Sequence, residues 1–190
     1  MGYILNTTNK YHINDLNSLG WELTVCNALY PPQSPSRNAL QFNESFGVQL
    51  YRYLKILIPM DNIMTVLEIG GGMGYLMHDF LSLNPQLKAT MIDISPYLLA
   101  KQKEILQKYP AEFLEKDILQ TETNFLSHFD MVIMNENLGD LPTLAFHPDT
   151  KDDSVTAFSH NKAIHFIGKY QLSITEGESI NIGAWEVLEK

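Results

Sequence analysis

The stretch Val66–Leu76, which reads Val-Leu-Glu-Ile-Gly-Gly-Gly-Met-Gly-Tyr-Leu, contains the pattern that decides the fold. Its apolar start predicts a short strand, and Tyr75–Leu83 is predicted as a helix. Glycines at positions 70, 72 and 74 permit a tight turn between the two and let a ligand approach the backbone closely. The alternative interpretation is a tight turn between strand and helix that binds no ligand.

Short strands and helices are predicted to alternate around this stretch. The expected strands are Thr65–Ile69, Ala89–Ile94, Ala111–Glu115 and Met131–Met134. Ser95-Pro96 begins a helix that runs to about Lys108, because serine favours the cap and proline the first turn. This alternation predicts βαβ units with right-handed crossovers, and therefore an α/β fold with a doubly wound, mostly parallel sheet.

The two ends of the chain give weaker signals. Residues 1–58 are predicted as an N-terminal helical or lid segment, and residues 59–190 as the ligand-binding domain. Within them we expect a helix over 15–29, an amphipathic helix from Asn43 to Pro59, a loop over 147–162, a hairpin or insertion over 170–174 and 178–182, and a helix over 184–190.

Composition excludes several classes of function. The net charge is −9, from 22 acidic and 13 basic residues, so repulsion opposes non-specific binding to nucleic acid or to anionic membranes. The single Cys26 excludes an intrachain disulfide and a cysteine-rich zinc site. His147, His160 and His165 lack carboxylates at ligand spacing, so no metal site is predicted. Without an apolar run of ~18 residues or a signal pattern, we expect a cytoplasmic protein.

The spacing of the glycines narrows the nucleotide that the turn can bind. A nicotinamide-binding loop needs Gly-x-Gly-x-x-Gly/Ala, but its last position falls on Tyr75. A Walker loop is also absent, since no Gly-Lys-Ser/Thr follows the glycines. Asp93 ends the next predicted strand, where its carboxylate could accept hydrogen bonds from two ribose hydroxyls.

Val66–Leu76 resembles the first motif of the class I S-adenosylmethionine-dependent methyltransferases, and Met91–Ser95 resembles their acidic second-strand motif. The resemblance implies a Rossmann-like fold, S-adenosylmethionine as cofactor and S-adenosylhomocysteine as product. It places Glu68 on the methionine side, Asp93 at the ribose and Asp117 near the adenine, although an acidic residue such as Asp117 often only caps a helix. The cofactor-binding residues so implied are Glu68, Gly70, Gly72, Gly74, Asp93, Ile94, Asp117, Ile118 and Asn135.

A narrower resemblance is to the mitochondrial complex I assembly-factor methyltransferases and their bacterial relatives. Ile94–Leu98, with Gln102 and Leu106 behind it, is similar to one of their motifs. Residues 135–142, Asn-Glu-Asn-Leu-Gly-Asp-Leu-Pro, resemble their Asn-Glu-x-x-Asp-Ala-Leu-Pro segment, with the acid displaced by one position to Asp140. That family is associated with methylation of protein arginine, so the resemblance implies a protein side chain as methyl acceptor.

Three residues are the candidate catalytic residues: Asn135, Glu136 and Asp140. Carboxylates can engage the planar fork of a guanidinium, and an amide carbonyl could orient the acceptor. Glu136 and Asp140 could equally be capping residues. Two other functions stay open, a catalytically inactive methyltransferase-like binding or assembly module and a small-molecule methyltransferase of the same fold.

The chain supplies candidates for four of the seven strands that the resemblance implies. The fourth strand, near Met131–Met134, would then lie at an exposed edge that favours association. The favoured explanation for the missing strands is that the sequence is a fragment of a longer chain. The alternatives are that a second chain completes the sheet or that residues 143–190 cover its edge. We therefore expect a protein or small-molecule acceptor as partner, and a homo-oligomer or completing chain at this edge.

Overall fold

A computed structural model describes residues 2–6, 24–147, 157–174 and 178–190. These residues belong to two compact units, one within Asp15–Glu136 and one within Met1–Asn14 and Asn137–Lys190. The predicted domain boundary after residue 58 does not coincide with this division and stays a prediction. Of the helix expected over 15–29, residues 15–23 lie outside the described residues.

The described elements are numbered in chain order. The strands are β1 (Gly2–Asn6), β2 (Thr65–Ile69), β3 (Lys88–Asp93), β4 (Ala111–Glu115), β5 (Met131–Ile133), β6 (Thr143–His147) and β7 (Ser179–Asn181). The helices are α1 (Val25–Leu29), α2 (Pro35–Leu40), α3 (Phe46–Leu57), α4 (Tyr75–Leu83), α5 (Pro96–Leu106), α6 (Ala157–Tyr170) and α7 (Ile182–Leu188).

The unit within Asp15–Glu136 is built on a parallel sheet with the strand order β4-β3-β2-β5. Leu67 of β2 pairs with Thr90 of β3 on one side and with Val132 of β5 on the other. Val66–Ile69 is buried at every position, as expected where both faces of a parallel sheet are covered. The sheet confirms the predicted α/β fold and the predicted strand–helix alternation.

The core of this unit lies where the sheet packs against the helices. Its fully buried side chains include Val66 and Met91 from the sheet and Met77 and Phe80 from α4. Tyr51 of α3 meets Phe80 edge-on, with ring centroids 5.2 Å apart. The amphipathic helix predicted from Asn43 to Pro59 is therefore present as α3, and it helps to hold α4 in place.

Strand β5 forms the edge of the described parallel sheet, with β2 as its neighbour there. Its central residue Val132 is 37% exposed. The predicted position of the fourth strand at an edge is thus confirmed among the described residues. Self-association through this edge stays a prediction, and a monomer in light scattering at micromolar concentration would contradict it.

The second unit contains an antiparallel sheet with the order β1-β6-β7. Ile4 pairs with Ala145, and Leu144 pairs with Ile180. Two predictions are wrong here. A loop is expected over 147–162, but residues 157–162 belong to α6. This helix forms because Ala163 and Phe166 bury one of its faces against Leu144.

The expected strand over 170–174 is also absent, since α6 runs to Tyr170 and residues 172–174 have no regular structure. The partner of β7 is β6, because Leu144 and Ile180 are buried together in the same cluster. The final helix is confirmed as α7, which begins two residues earlier than expected. No helix in the described part of the chain combines the length and the apolar character needed to cross a membrane.

Candidate functional site

Residues 70–74, here called the glycine loop, connect β2 to α4. Gly70, Gly72 and Gly74 have φ values of 65°, 52° and 84°, in the left-handed region that side chains other than glycine rarely adopt. A Cβ added at Gly72 would meet no atom within 4 Å, whereas one at Gly74 would lie 3.3 Å from the Cα of Gln102. The loop therefore packs closely on α5 at Gly74 and leaves open space beside Gly72.

Glu68 lies buried directly beneath the glycine loop. Its side chain is 2% exposed, and its Oε2 atom has no hydrogen-bond partner. A Cβ at Gly71 would lie 3.0 Å from that Oε2 atom, so the loop can approach Glu68 only because Gly71 lacks a side chain. Burial, and then the charge of Asp93, raise the pKa of Glu68 to about 8. A buried carboxyl without a partner is costly, which favours a polar or cationic ligand beside it.

Asp93 is the last residue of β3 and is also buried. Its Oδ1 atom accepts a hydrogen bond from the backbone N–H of Ser95 at 2.9 Å. Its Oδ2 atom accepts one from Nε2 of Gln102 at 3.1 Å, and the same Nε2 donates to the carbonyl oxygen of Gly72 at 3.0 Å. Because β2 and β3 are parallel, the glycine loop and Asp93 lie at the same edge of the sheet, as predicted. Ile94, between Asp93 and Ser95, is half-buried.

Asp117 follows β4 and caps a short 3-10 turn, Ile118–Gln120. Its Oδ1 atom accepts from the backbone N–H of Leu119 at 2.9 Å, and its Oδ2 atom accepts from Nε2 of Gln120 at 3.3 Å. The capping geometry considered from the sequence is therefore observed. The placement of Asp117 and the buried Ile118 next to an adenine stays a prediction.

Asn135 and Glu136 follow β5 and contact the first turn of α1. The carboxylate of Glu136 accepts from the backbone N–H of Val25, with oxygen–nitrogen distances of 3.1 and 3.3 Å. Nδ2 of Asn135 lies 3.5 Å from Sγ of Cys26 and 3.3 Å from Oε2 of Glu136. Glu136 has a φ of 59°, a conformation that is uncommon for residues other than glycine and often marks a functional position.

The third candidate catalytic residue belongs to the other compact unit. Asp140 ends the 3-10 turn Leu138–Asp140, which belongs to the unit within Met1–Asn14 and Asn137–Lys190. Glu136 is a cap, as the alternative interpretation held, but the helix that it caps is α1. No local sequence signal indicates this contact, because Val25 and Glu136 lie far apart in the chain.

Cys26 is a further residue of this site that the sequence did not identify. Burial, followed by the negative charges of Glu68, Glu136 and Asp79, raises the pKa of its thiol to about 12. The thiol is therefore protonated and a poor nucleophile at neutral pH.

Tyr30 packs over the start of α4. Its ring stacks on that of Tyr75, with centroids 3.9 Å apart and planes 8° from parallel. Its hydroxyl lies 3.2 Å from Nδ1 of His78. The segment around α1 thus lies over the first turn of α4, immediately after the glycine loop. In the described residues, no group of three or more histidine, cysteine or acidic side chains could hold a metal ion.

Glycines directly after β2, an acid within β2 and an acid at the end of β3 are the features that the sequence resemblance predicts. Residues 67–153 match the family model of the methyltransferase domain. The match covers less than half of the chain, and it agrees with the α/β fold and with the resemblance to S-adenosylmethionine-dependent methyltransferases. No curated protein matches the chain.

Several solved methyltransferase structures are similar to parts of the chain. A mitomycin 7-O-methyltransferase is 21% identical, with 56% of this chain aligned to 32% of that one and a TM-score of 0.40. An S-adenosylmethionine-bound amino pentose methyltransferase from Micromonospora echinaspora is 16% identical over 40% of this chain and 30% of that one, with a TM-score of 0.33.

A third structure is a tRNA (uracil-54, C5)-methyltransferase from Pyrococcus abyssi in complex with S-adenosyl-L-homocysteine. It is 17% identical over 48% of this chain and 22% of that one, with a TM-score of 0.38. The aligned parts span about a third or less of these proteins, at 32%, 30% and 22% of their lengths. The narrower resemblance to the complex I assembly-factor family stays a prediction.

Proposed function

We propose that this chain binds S-adenosylmethionine between the glycine loop and Asp93. It then transfers the methyl group to the side chain of an arginine in a protein substrate. The observation that carries the proposal is the open space beside Gly72, in a loop that packs on the buried carboxyl of Glu68 and is joined through Gln102 to the carboxylate of Asp93. These features fit a ligand that has a ribose and a positive charge.

The binding roles follow from the chemistry of each group. In this proposal Asp93 accepts hydrogen bonds from the ribose hydroxyls, and Glu68 interacts with the positively charged methionine end. Gly72 allows the backbone to approach the ligand without a side chain in between. When bound, S-adenosylmethionine supplies a methyl group on a positively charged sulfur, which is the electrophile. The residues of the chain then contribute by positioning the acceptor in line with that methyl group and by excluding water.

The choice of arginine rests on the groups that follow β5. Glu136 is exposed, and its carboxylate already accepts from a backbone N–H, so a guanidinium could replace that donor with two parallel N–H bonds. A carboxylate in this position can also take the proton that the acceptor nitrogen loses after methylation. In this proposal Asn135 orients the acceptor, and Asp140 stays a candidate carboxylate from the sequence alone.

The test is methyl transfer from S-adenosylmethionine labelled on the methyl carbon. The purified chain is incubated with a library of arginine-containing peptides, and the same peptides with lysine in place of arginine are the matched control. We expect label on the arginine peptides only, and no label with Asp93→Ala, which removes the ribose acceptor. Label on lysine peptides or on added small molecules, with none on arginine, would contradict the choice of acceptor.

A non-catalytic binding or assembly module is the second candidate. It is favoured by the contacts of Asn135 and Glu136 with α1, because these contacts occupy the groups proposed to hold the acceptor. Tight cofactor binding without methyl transfer to any acceptor class would support this candidate. The single Cys26 fits a reducing compartment, and a cytoplasmic location is part of either proposal.

A further inference from the structure

Gln102 connects the two walls of the proposed cofactor site. It lies on α5 and is 0% exposed. Its Nε2 atom donates to the carbonyl oxygen of Gly72 at 3.0 Å and to Oδ2 of Asp93 at 3.1 Å. Its Cα atom lies 3.3 Å from the point that a Cβ at Gly74 would occupy. One amide group therefore fixes both the glycine loop and the carboxylate after the next strand.

The orientation of this amide is set by its two acceptors. Oε1 of Gln102 has no hydrogen-bond partner among the described residues. The orientation of the amide is therefore determined by the two acceptors of Nε2 alone. The opposite orientation would place Oε1 against the carbonyl oxygen of Gly72 and the carboxylate of Asp93, which are both acceptors. The amide can therefore make these contacts only with Nε2 as the donor.

The hydrogen bond to Asp93 also has an electrostatic effect. Glu68 is buried nearby, and the charge of Asp93 contributes to the raised pKa of Glu68. A neutral N–H donor favours the ionised form of Asp93 without adding a charge to this buried region. Together with the Ser95 N–H on Oδ1, it fixes the plane of the carboxylate before a ligand arrives.

We infer that Gln102 is a positioning residue for the cofactor, which acts on the ribose by orienting Asp93 and is itself held in place by the Gly72 carbonyl. This inference rests on the proposed function, since it specifies how that site is organised. Gln102 does not itself hold the ribose in this account. Its removal should therefore affect ligands that have ribose hydroxyls and spare those that lack them.

The test uses Gln102→Met, which keeps the length of the side chain but removes the donor, with Gln107→Met at the exposed end of α5 as the matched control. S-adenosylhomocysteine is titrated into each protein by calorimetry. We expect about ten-fold weaker binding for Gln102→Met, the effect of one lost charge-assisted hydrogen bond, and unchanged binding for the control.

A double-mutant cycle separates positioning from a general structural effect. If Gln102 acts through Asp93, then Gln102→Met should add no more than about two-fold to the loss caused by Asp93→Ala. The variant should also bind the analogue of S-adenosylhomocysteine without ribose hydroxyls as well as the unmodified protein does. Two results would overturn the inference: losses of binding affinity that add in the double variant, or equal losses of affinity for S-adenosylhomocysteine and for its analogue without ribose hydroxyls.

Thermal melting establishes first that each variant folds. Should Gln102→Met unfold, Gln102→Leu replaces it, because leucine is apolar, of similar size and without a donor; the same pattern of losses is expected. Failure of the unmodified chain to bind S-adenosylhomocysteine would instead refute the proposed function. Normal binding by a folded Gln102 variant would refute only the inference about this residue.

Discussion

Replacement of Glu68 by glutamine should change how the stability of the protein depends on pH. Glu68 is buried with an unpartnered Oε2 atom, and its pKa rises from an ordinary value near 4.5 to about 8. Between these two values the folded protein keeps a proton that the unfolded chain releases. Glu68→Gln keeps the shape of the side chain and has no carboxyl to titrate.

The sign and size of the effect follow from linkage. Because the pKa of Glu68 is raised in the folded state, its contribution to stability is most favourable below pH 4.5 and is lost as pH rises through about 8. Each pH unit inside this window costs about 1.4 kcal/mol in the free energy of unfolding, so the loss from pH 5 to pH 8 is about 3 kcal/mol. Glu68→Gln should not show this loss.

The assay is urea unfolding of the cofactor-free protein, followed by circular dichroism at pH 5, 6, 7 and 8. The free energy of Glu68→Gln minus that of the unmodified protein should grow by about 3 kcal/mol from the lowest to the highest pH. Glu122→Gln, at an exposed position, is the matched control and should follow the unmodified protein. The raised pKa of Asp79 is common to all three proteins and cancels in the difference. Parallel curves for Glu68→Gln and the unmodified protein would refute this account of Glu68.

Three further predictions concern the same unit. Gly72→Val should lower the stability of the protein, because valine is strained at a φ of 52°, and should abolish binding of S-adenosylhomocysteine in calorimetry; normal binding by the folded variant would refute the role of the loop. Gly47→Ala should lower the free energy of unfolding by about 1–3 kcal/mol, since its Cβ would lie 2.6 Å from Oδ2 of Asp79, and an unchanged urea midpoint would contradict that packing. Cys26 should react with iodoacetamide at pH 8 far more slowly in the folded protein than in urea, because its pKa is raised to about 12; equal rates would show that the thiol is neither buried nor neutral.

The parallel sheet and its glycine loop could be predicted from the sequence because their signals are local. Val66–Leu76 contains an apolar strand, the glycines and the start of a helix within one short stretch. Asp93 was found in the same way, from its place at the end of the next strand. The hydrogen bonds from Gln102 to Asp93 and Gly72 needed the structure, because the three residues come from different elements.

The antiparallel sheet could not be predicted, since its strands find their partners far away in the chain. Gly2–Asn6 pairs with Thr143–His147, and Ser179–Asn181 has only three residues, too few for a clear alternating pattern. The contact between Glu136 and Val25 was missed for the same reason. The positive φ of Glu136 could not be predicted either, because in a sequence only glycine commonly indicates such a backbone conformation.

Calorimetric titration of the purified chain with S-adenosylmethionine and S-adenosylhomocysteine, with NAD as the control ligand, tests the central claim most directly. We predict micromolar binding of both S-adenosyl compounds, a large loss of that binding in Asp93→Ala, and no binding of NAD. A folded chain that binds neither S-adenosyl compound, or that binds NAD instead, would contradict the proposed cofactor site at the glycine loop and Asp93.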